Sequence, residues 1–324
     1  MTWLVTGGAG YIGAHVVRAL REAGISPVVV DDLFSGVESF VPENVPFVKA
    51  SILDTDAMER TLVEHGVVGV IHCAGYKYAG ESVKYPLLNY SINVEGTRSL
   101  LEAMQRAGVT RLVFSSSAGV YGNSGVDVVT ESTPTTPESP YGESKLIGEW
   151  LIRDQRVATE MAGAPLAATS LRYFNVCGSG YADIWDASPH NLFPKVLFAI
   201  QAGRAPQVNG TDYPTPDGTC VRDYVHVSDL AAAHVVAAQR LAAGDALEPV
   251  YNLGSGDGTS VREIVDAMVA ATGTDKTPVE GPRRPGDPAK IVADGTLAAR
   301  DLDWAMRHSV QDMVDSAWAS HPKN

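Results

Sequence analysis

The sequence predicts an α/β fold, a doubly wound parallel sheet with a smaller C-terminal α/β substrate domain. Three observations carry this: short continuous apolar blocks alternate with longer helix-period stretches, a glycine cluster separates the first block from the first helix, and the texture changes after about residue 176 to Pro/Gly/Asp-rich loops. Strands buried on both faces read as unbroken apolar runs, whereas amphipathic helices show three- and four-residue spacings. Their alternation means βαβ units, with ligands at the carboxyl ends of the strands.

In chain order, residues 3–5 form the first strand and run into Thr6-Gly7-Gly8-Ala9-Gly10-Tyr11-Ile12-Gly13. The glycines permit a tight turn and close backbone approach, and the helix over 11–23 aims its first N–H groups at a pyrophosphate. The strand 28–30 ends in Asp31-Asp32, about 20 residues further on, where a carboxylate accepts hydrogen bonds from ribose hydroxyls and repels a 2′-phosphate. That favours NAD over NADP, in the arrangement known as a Rossmann domain. A helix over 54–65, a strand over 67–73 and a helix over 93–107 follow. The strand 111–115 ends in Ser115-Ser116-Ser117, ahead of a helix over 141–161 and a strand over 169–174. A helix over 228–241, opening on a Ser228 cap, and a strand over 250–253 return the chain to the sheet. The expected division is therefore 1–176 with 220–254 for the cofactor, and 177–219 with 255–324 for the substrate.

Composition narrows the function. With 25 Lys+Arg against 38 Asp+Glu, the chain carries −13 and has no broad basic surface for nucleic acid or an anionic membrane face. No run approaches the roughly 20 apolar residues of a spanning helix, and the N-terminus lacks a secretory pattern, so a cytoplasmic protein is expected. Cys73, Cys177 and Cys220 are far apart and form no metal-ligand pattern; they read as buried small apolar residues, with no metal site.

The chemistry is carried by Tyr141-Gly142-Glu143-Ser144-Lys145, whose four-residue spacing puts phenol and ammonium on one helix face. A phenolate at neutral pH needs a shift of about 3 units from a reference near 10, roughly 4 kcal/mol. One cation at roughly 6 Å supplies about 2.8 kcal/mol at an effective dielectric of 20. Lys145 alone is insufficient, and a positively charged nicotinamide ring nearby would supply the rest. Ser117 can hydrogen-bond a substrate hydroxyl while Tyr141 takes its proton, although three serines at a strand end also make an ordinary turn.

Taken together, Thr6 to Gly13, Asp31, the serine strand end, Tyr141-x-x-x-Lys145 and Arg172-Tyr173-Phe174-Asn175 resemble the extended short-chain dehydrogenase/reductase family. Within it the chain is similar to the 4-epimerases of UDP-glucose and UDP-galactose, through Gly80-Glu81-Ser82, Asn191-Leu192, the run from Asp212 to Val227, and Pro282-Arg283-Arg284-x-Gly286-Asp287. The resemblance implies a homodimer that interconverts the two UDP-sugars through a transient 4-keto sugar. By the same resemblance NAD would be held by Gly7, Gly10, Tyr11, Ile12, Gly13, Asp31, Ala74, Lys77, Asn93 and Tyr173, with Tyr141 and Lys145. Ser117, Tyr141, Asn175, Asn191, Leu192, Arg222, Arg284 and Asp287 would hold the UDP-sugar. Ser117, Tyr141 and Lys145 would be catalytic.

The chain departs from the family pattern at Ala50-Ser51 after the third strand, at Asn209 in place of an aromatic near the uracil, and at Gly119 in place of a threonine. Ile291 stands where pocket size is tuned. Ser117 is followed by Ala118-Gly119 rather than the Asp-Glu pair that dehydration needs. The rival readings are a 4-epimerase of UDP-N-acetylhexosamines or UDP-pentoses, and a non-catalytic NAD-sensing protein.

Overall fold

The structure, a computed structural model, describes residues 1–283 and 287–322. Seven parallel strands, β1 (Thr2–Thr6), β2 (Ser26–Asp31), β3 (Phe47–Lys49), β4 (Val67–His72), β5 (Arg111–Ser115), β6 (Ala167–Tyr173) and β7 (Val250–Leu253), form the main sheet. Their spatial order is β3-β2-β1-β4-β5-β6-β7. The order reverses at β1, and the glycine loop leaves the sheet there, at its topological switch point. β3 is three half-exposed residues, too short to stand out as an apolar block.

Helices α1 (Tyr11–Glu22), α2 (Thr55–Glu64), α3 (Gly96–Ala107), α4 (Pro140–Met161) and α5 (Val227–Ala243) cover the two faces. Strand periodicity decides what each face buries: Trp3 and Val5 join Val16, Leu20 and Leu230 on one side, while Leu4 joins Met58, Leu100, Met104 and Ile152 on the other. Each such side chain, fully buried, contributes roughly 1.5–3 kcal/mol. Ahead of α3 the backbone makes a π turn over Ser91–Glu95, where the sequence suggests plain helix from 93. The cap of α5 is also not Ser228: His226 Nδ1 accepts from the Ser228 N–H at 3.1 Å.

The smaller layer holds a four-stranded sheet in the order Thr259–Ser260, Val221–Arg222, Lys290–Ala293, Val128–Val129. Helices Leu192–Gln201, Val261–Thr272 and Val310–Ser320 close around Phe193, Leu197, Ile264, Met268 and Met313. Asp223, fully buried, pins this layer to the end of β7. Its carboxylate accepts from the N–H groups of Ser255 (2.6 Å), Gly256 (3.1 Å) and Ala293 (3.0 Å). No described helix is long and apolar enough to cross a membrane.

Candidate active site

A cleft of about 660 Å³ lies between the two layers at the carboxyl ends of the strands. Its sheet side begins at the glycine loop. Gly7 has φ +70°, and a side chain there would meet the Ala74 backbone at 2.6 Å; at Gly13 it would meet the Gly7 carbonyl at 2.1 Å. Only glycine fits both places, so the loop lies flat and opens space above the start of α1, whose Gly10 cap supplies no side-chain acceptor. First-turn N–H groups are thus left for a ligand. Asp31, buried at the end of β2, accepts from Ala9 N–H at 3.0 Å and Leu33 N–H at 2.8 Å. Burial pushes its carboxyl up from the usual range, while these two donors pull it back. A flat glycine cradle, an uncapped helix start and an acceptor at the end of β2 fit a dinucleotide without a 2′-phosphate.

Ser139 and Pro140 start α4: the Ser139 hydroxyl accepts from Gly142 N–H at 3.2 Å, and proline sits in the first turn. The Ser82 hydroxyl, fully buried, accepts from Tyr141 N–H at 3.1 Å, which gives Gly80-Glu81-Ser82 its physical role as a second cap. Tyr141 and Lys145 then point into the cleft one turn apart, opposite Ser117, which caps the short turn after β5 by accepting from Gly119 N–H at 3.1 Å. Burial raises the Tyr141 phenol above its ordinary value, and a hydrogen bond with Ser117 opposes that rise. The direction agrees with the arithmetic: without a further positive charge the phenol stays protonated. Lys145 Nζ donates to the Ser115 carbonyl at 2.8 Å, and burial lowers it to about 8.

Behind these groups the Ser115 hydroxyl lies 2.9 Å from His234 Nε2, and His234 Nδ1 lies 2.9 Å from the Leu230 carbonyl. Burial lowers His234 to about 4, so the ring is neutral, Nδ1 carries the proton and Nε2 accepts. Burial pushes the nearby Tyr173 phenol well above its ordinary value, and the Tyr141 phenol close to it adds to the rise.

Of the residues singled out in the sequence, Gly7, Gly10, Tyr11, Ile12, Gly13, Asp31, Ala74, Lys77, Ser117, Tyr141, Lys145 and Tyr173 line this one cleft, as do Asn175, Asn191, Leu192, Arg222 and Asp287 from the smaller layer. Asn93 does not. It is buried behind the wall, where its Oδ1 accepts from Tyr76 N–H at 2.6 Å and its Nδ2 donates to the Ser144 hydroxyl at 2.8 Å, tying the loop after β4 to α4. Arg284 lies outside the described residues. Arg222 donates to its neighbour Val221 carbonyl at 2.9 Å and stands 3.5 Å from Asp287, and its outer Nη2 is buried with no hydrogen-bond partner among the described residues. The 3.5 Å contact is made by this same Nη2, and a guanidinium nitrogen held by so long an ion pair, with no hydrogen bond, suits an anionic ligand.

Other residues were not legible in advance. Asp186 and His190 line the cleft; Asp186 accepts from Asn191 Nδ2 at 2.7 Å, inside a loop with no motif of its own. Cys73, expected as a buried filler, is mostly but not fully buried and lines the cleft, because it follows the carboxyl end of β4 rather than lying within the strand. Ile291 packs with Val120, Tyr121 and Phe174 and does not line the cleft.

Residues 3–254 match the NAD dependent epimerase/dehydratase family. A UDP-glucose 4-epimerase of Streptomyces lividans is 43% identical over 99% of this chain and 97% of its own. Among solved structures, the UDP-glucose-4-epimerase of Stenotrophomonas maltophila with bound NAD and formylated UDP-arabinopyranose superposes with a TM-score of 0.92 at 41% identity, covering 99% of this chain and 97% of that one. The enzyme of Bifidobacterium longum in complex with NAD+ and UDP gives 0.88 at 37%, covering 99% and 98%.

Proposed function

The chain belongs to the NAD dependent epimerase/dehydratase family, and from that premise we propose that it is an NAD-dependent UDP-glucose 4-epimerase, working as a cytoplasmic homodimer. The carrying observation is that Ser117, Tyr141 and Lys145 face the same cleft as the glycine loop and Arg222. In this reading residues 1–176 with 220–254 hold the cofactor, and 177–219 with 255–324 hold the UDP-sugar.

Gly7, Gly10, Tyr11, Ile12, Gly13 and Asp31 would seat the dinucleotide, with Ala74, Lys77 and Tyr173 beyond them. Bound NAD supplies a reversible hydride acceptor at C4 of the sugar. Ser117 holds the 4-hydroxyl, and the Tyr141 oxygen removes its proton and later returns one. Lys145, charged below about pH 8, stabilises the phenolate one turn away. Arg222, Asp287, Asn175, Asn191 and Leu192 grip the UDP, which leaves the hexose free to present its other face.

Exposed apolar side chains on adjoining helices support a second copy as partner: Val83, Leu87, Trp150 and Met161, with Leu87 and Met161 more than four-fifths exposed. The function is tested by giving purified protein, without added cofactor, UDP-galactose, UDP-N-acetylgalactosamine and UDP-arabinopyranose separately and resolving the products. UDP-glucose as the fastest-formed product supports the reading, a faster pentose or N-acetyl reaction moves the assignment to that sugar, and no product on any overturns it.

A further inference from the structure

Tyr141, Lys145 and Glu149 succeed one another at four-residue spacing along one face of α4. Glu149 and Arg172 of β6 have side chains only 7% and 6% exposed, and they meet bidentately: Nη2 to Oε2 at 2.6 Å, Nε to Oε1 at 2.9 Å. The Ser116 hydroxyl donates to Glu149 Oε1 at 2.5 Å. On the other side Arg172 Nη1 donates to the Tyr121 hydroxyl at 3.0 Å, and the guanidinium covers the Tyr121 ring at 5.0 Å. Tyr121 in turn donates to Asn252 Oδ1 of β7 at 2.6 Å. Ser117 therefore sits between two residues, Ser116 and Tyr121, that both end on this ion pair.

A buried ion pair seldom adds net stability over a well-packed apolar pair, whereas its loss from one side is costly. Its place here gives it another use. We propose that Glu149 and Arg172 are positioning residues for the epimerase reaction: the pair holds the Ser117 turn in register with the Tyr141–Lys145 face of α4, with its carboxylate one turn from Lys145. The inference rests on the function proposed above. Around Lys145 lie the Cys73 thiol, the His72 imidazole, the Phe114 ring, the Ser115 carbonyl and Tyr141; burial lowers Lys145, and the Cys73 thiol and then the Glu149 carboxylate raise it.

The test compares Glu149→Gln, Glu149→Asp and the apolar double variant Glu149→Leu/Arg172→Met as full chains. Their kcat and KM for UDP-galactose are measured, together with the pH midpoint at which Lys145 becomes reactive to acetylation, read by mass spectrometry. Misplacement on the order of 1 Å costs about 10²-fold, so Glu149→Gln loses about 10²-fold in kcat with KM unchanged. Its Lys145 midpoint falls below that of the wild type. The aspartate keeps the charge and the midpoint but loses part of kcat. The double variant recovers the wild-type melting temperature while keeping the low kcat and low midpoint, and it decides alone where Glu149→Gln fails to fold. A folded double variant with wild-type kcat, or an unmoved Lys145 midpoint, overturns the proposal. If the wild type does not epimerise, the proposed function fails, and the midpoint still tests the pair.

Discussion

On the sheet side of the cleft the polar groups are already bonded: both Asp31 oxygens hold backbone N–H groups, Lys145 holds the Ser115 carbonyl, and Tyr11 donates to the Gly178 carbonyl at 2.5 Å. On the side of the smaller layer Arg222 Nη2 is buried without a hydrogen bond among the described residues, its contact there being the long ion pair to Asp287 at 3.5 Å, and Asn175 and Asn191 are exposed. The first wall is built before any ligand arrives; the second is completed by one. A preorganised half suits a cofactor that stays, because little ordering is left to lose on binding. An incomplete half suits a substrate that must enter, turn and leave.

This contrast can be broken at several points. Arg222→Ala should weaken UDP-sugar binding by about 2–5 kcal/mol, as for a lost buried charge partner, and leave NAD content unchanged. Calorimetry with UDP checks it; equal loss of NAD would erase the difference between the two walls. Asp31→Ala should act the other way. It frees the buried Ala9 N–H and the part-buried Leu33 N–H and removes the ribose acceptor, so NAD binding falls by about 1–3 kcal/mol while UDP affinity holds. The cofactor released from denatured wild type should be NAD, and NADP by mass spectrometry would refute the role of Asp31.

The third contrast is pH. His15, His72 and His234, within or against the main sheet, are lowered by burial to about 4, about 3 and about 4, against 6.5 in an unfolded chain. Below pH 6.5 the unfolded state binds more protons than the folded one, so stability falls as pH drops from 6.5 towards 4. His226, beneath the smaller layer, adds to this at about 4. Urea midpoints should therefore fall steadily across that window, and a flat profile would contradict the neutral buried rings.

Much of this was legible in sequence because the signals are local. The glycine loop must be glycine at Gly7 and Gly13 for steric reasons, and Tyr141-x-x-x-Lys145 is a spacing that any helix turns into a shared face. What escaped notice depends on partners distant in the chain or on backbone register. Glu149 looks like an ordinary helix carboxylate until Arg172, 23 residues on, is brought against it. Asn93 carries a cofactor-side expectation, yet its side chain is bonded to the Tyr76 backbone and the Ser144 hydroxyl, partners 17 and 51 residues away that no local pattern signals. Asp186 belongs to a loop whose path is fixed by packing between Phe40 and Trp185, with ring centroids 4.7 Å apart, rather than by turn residues.

The central claim is that Tyr141 moves the proton in a cleft that already fits both ligands. Wild type and Tyr141→Phe are to be compared for conversion of UDP-galactose to UDP-glucose, with NAD content and UDP affinity measured on the same samples. The account predicts a loss of about 10²–10⁴-fold in turnover, with NAD and UDP bound as in wild type. Unchanged turnover in the phenylalanine variant would contradict it.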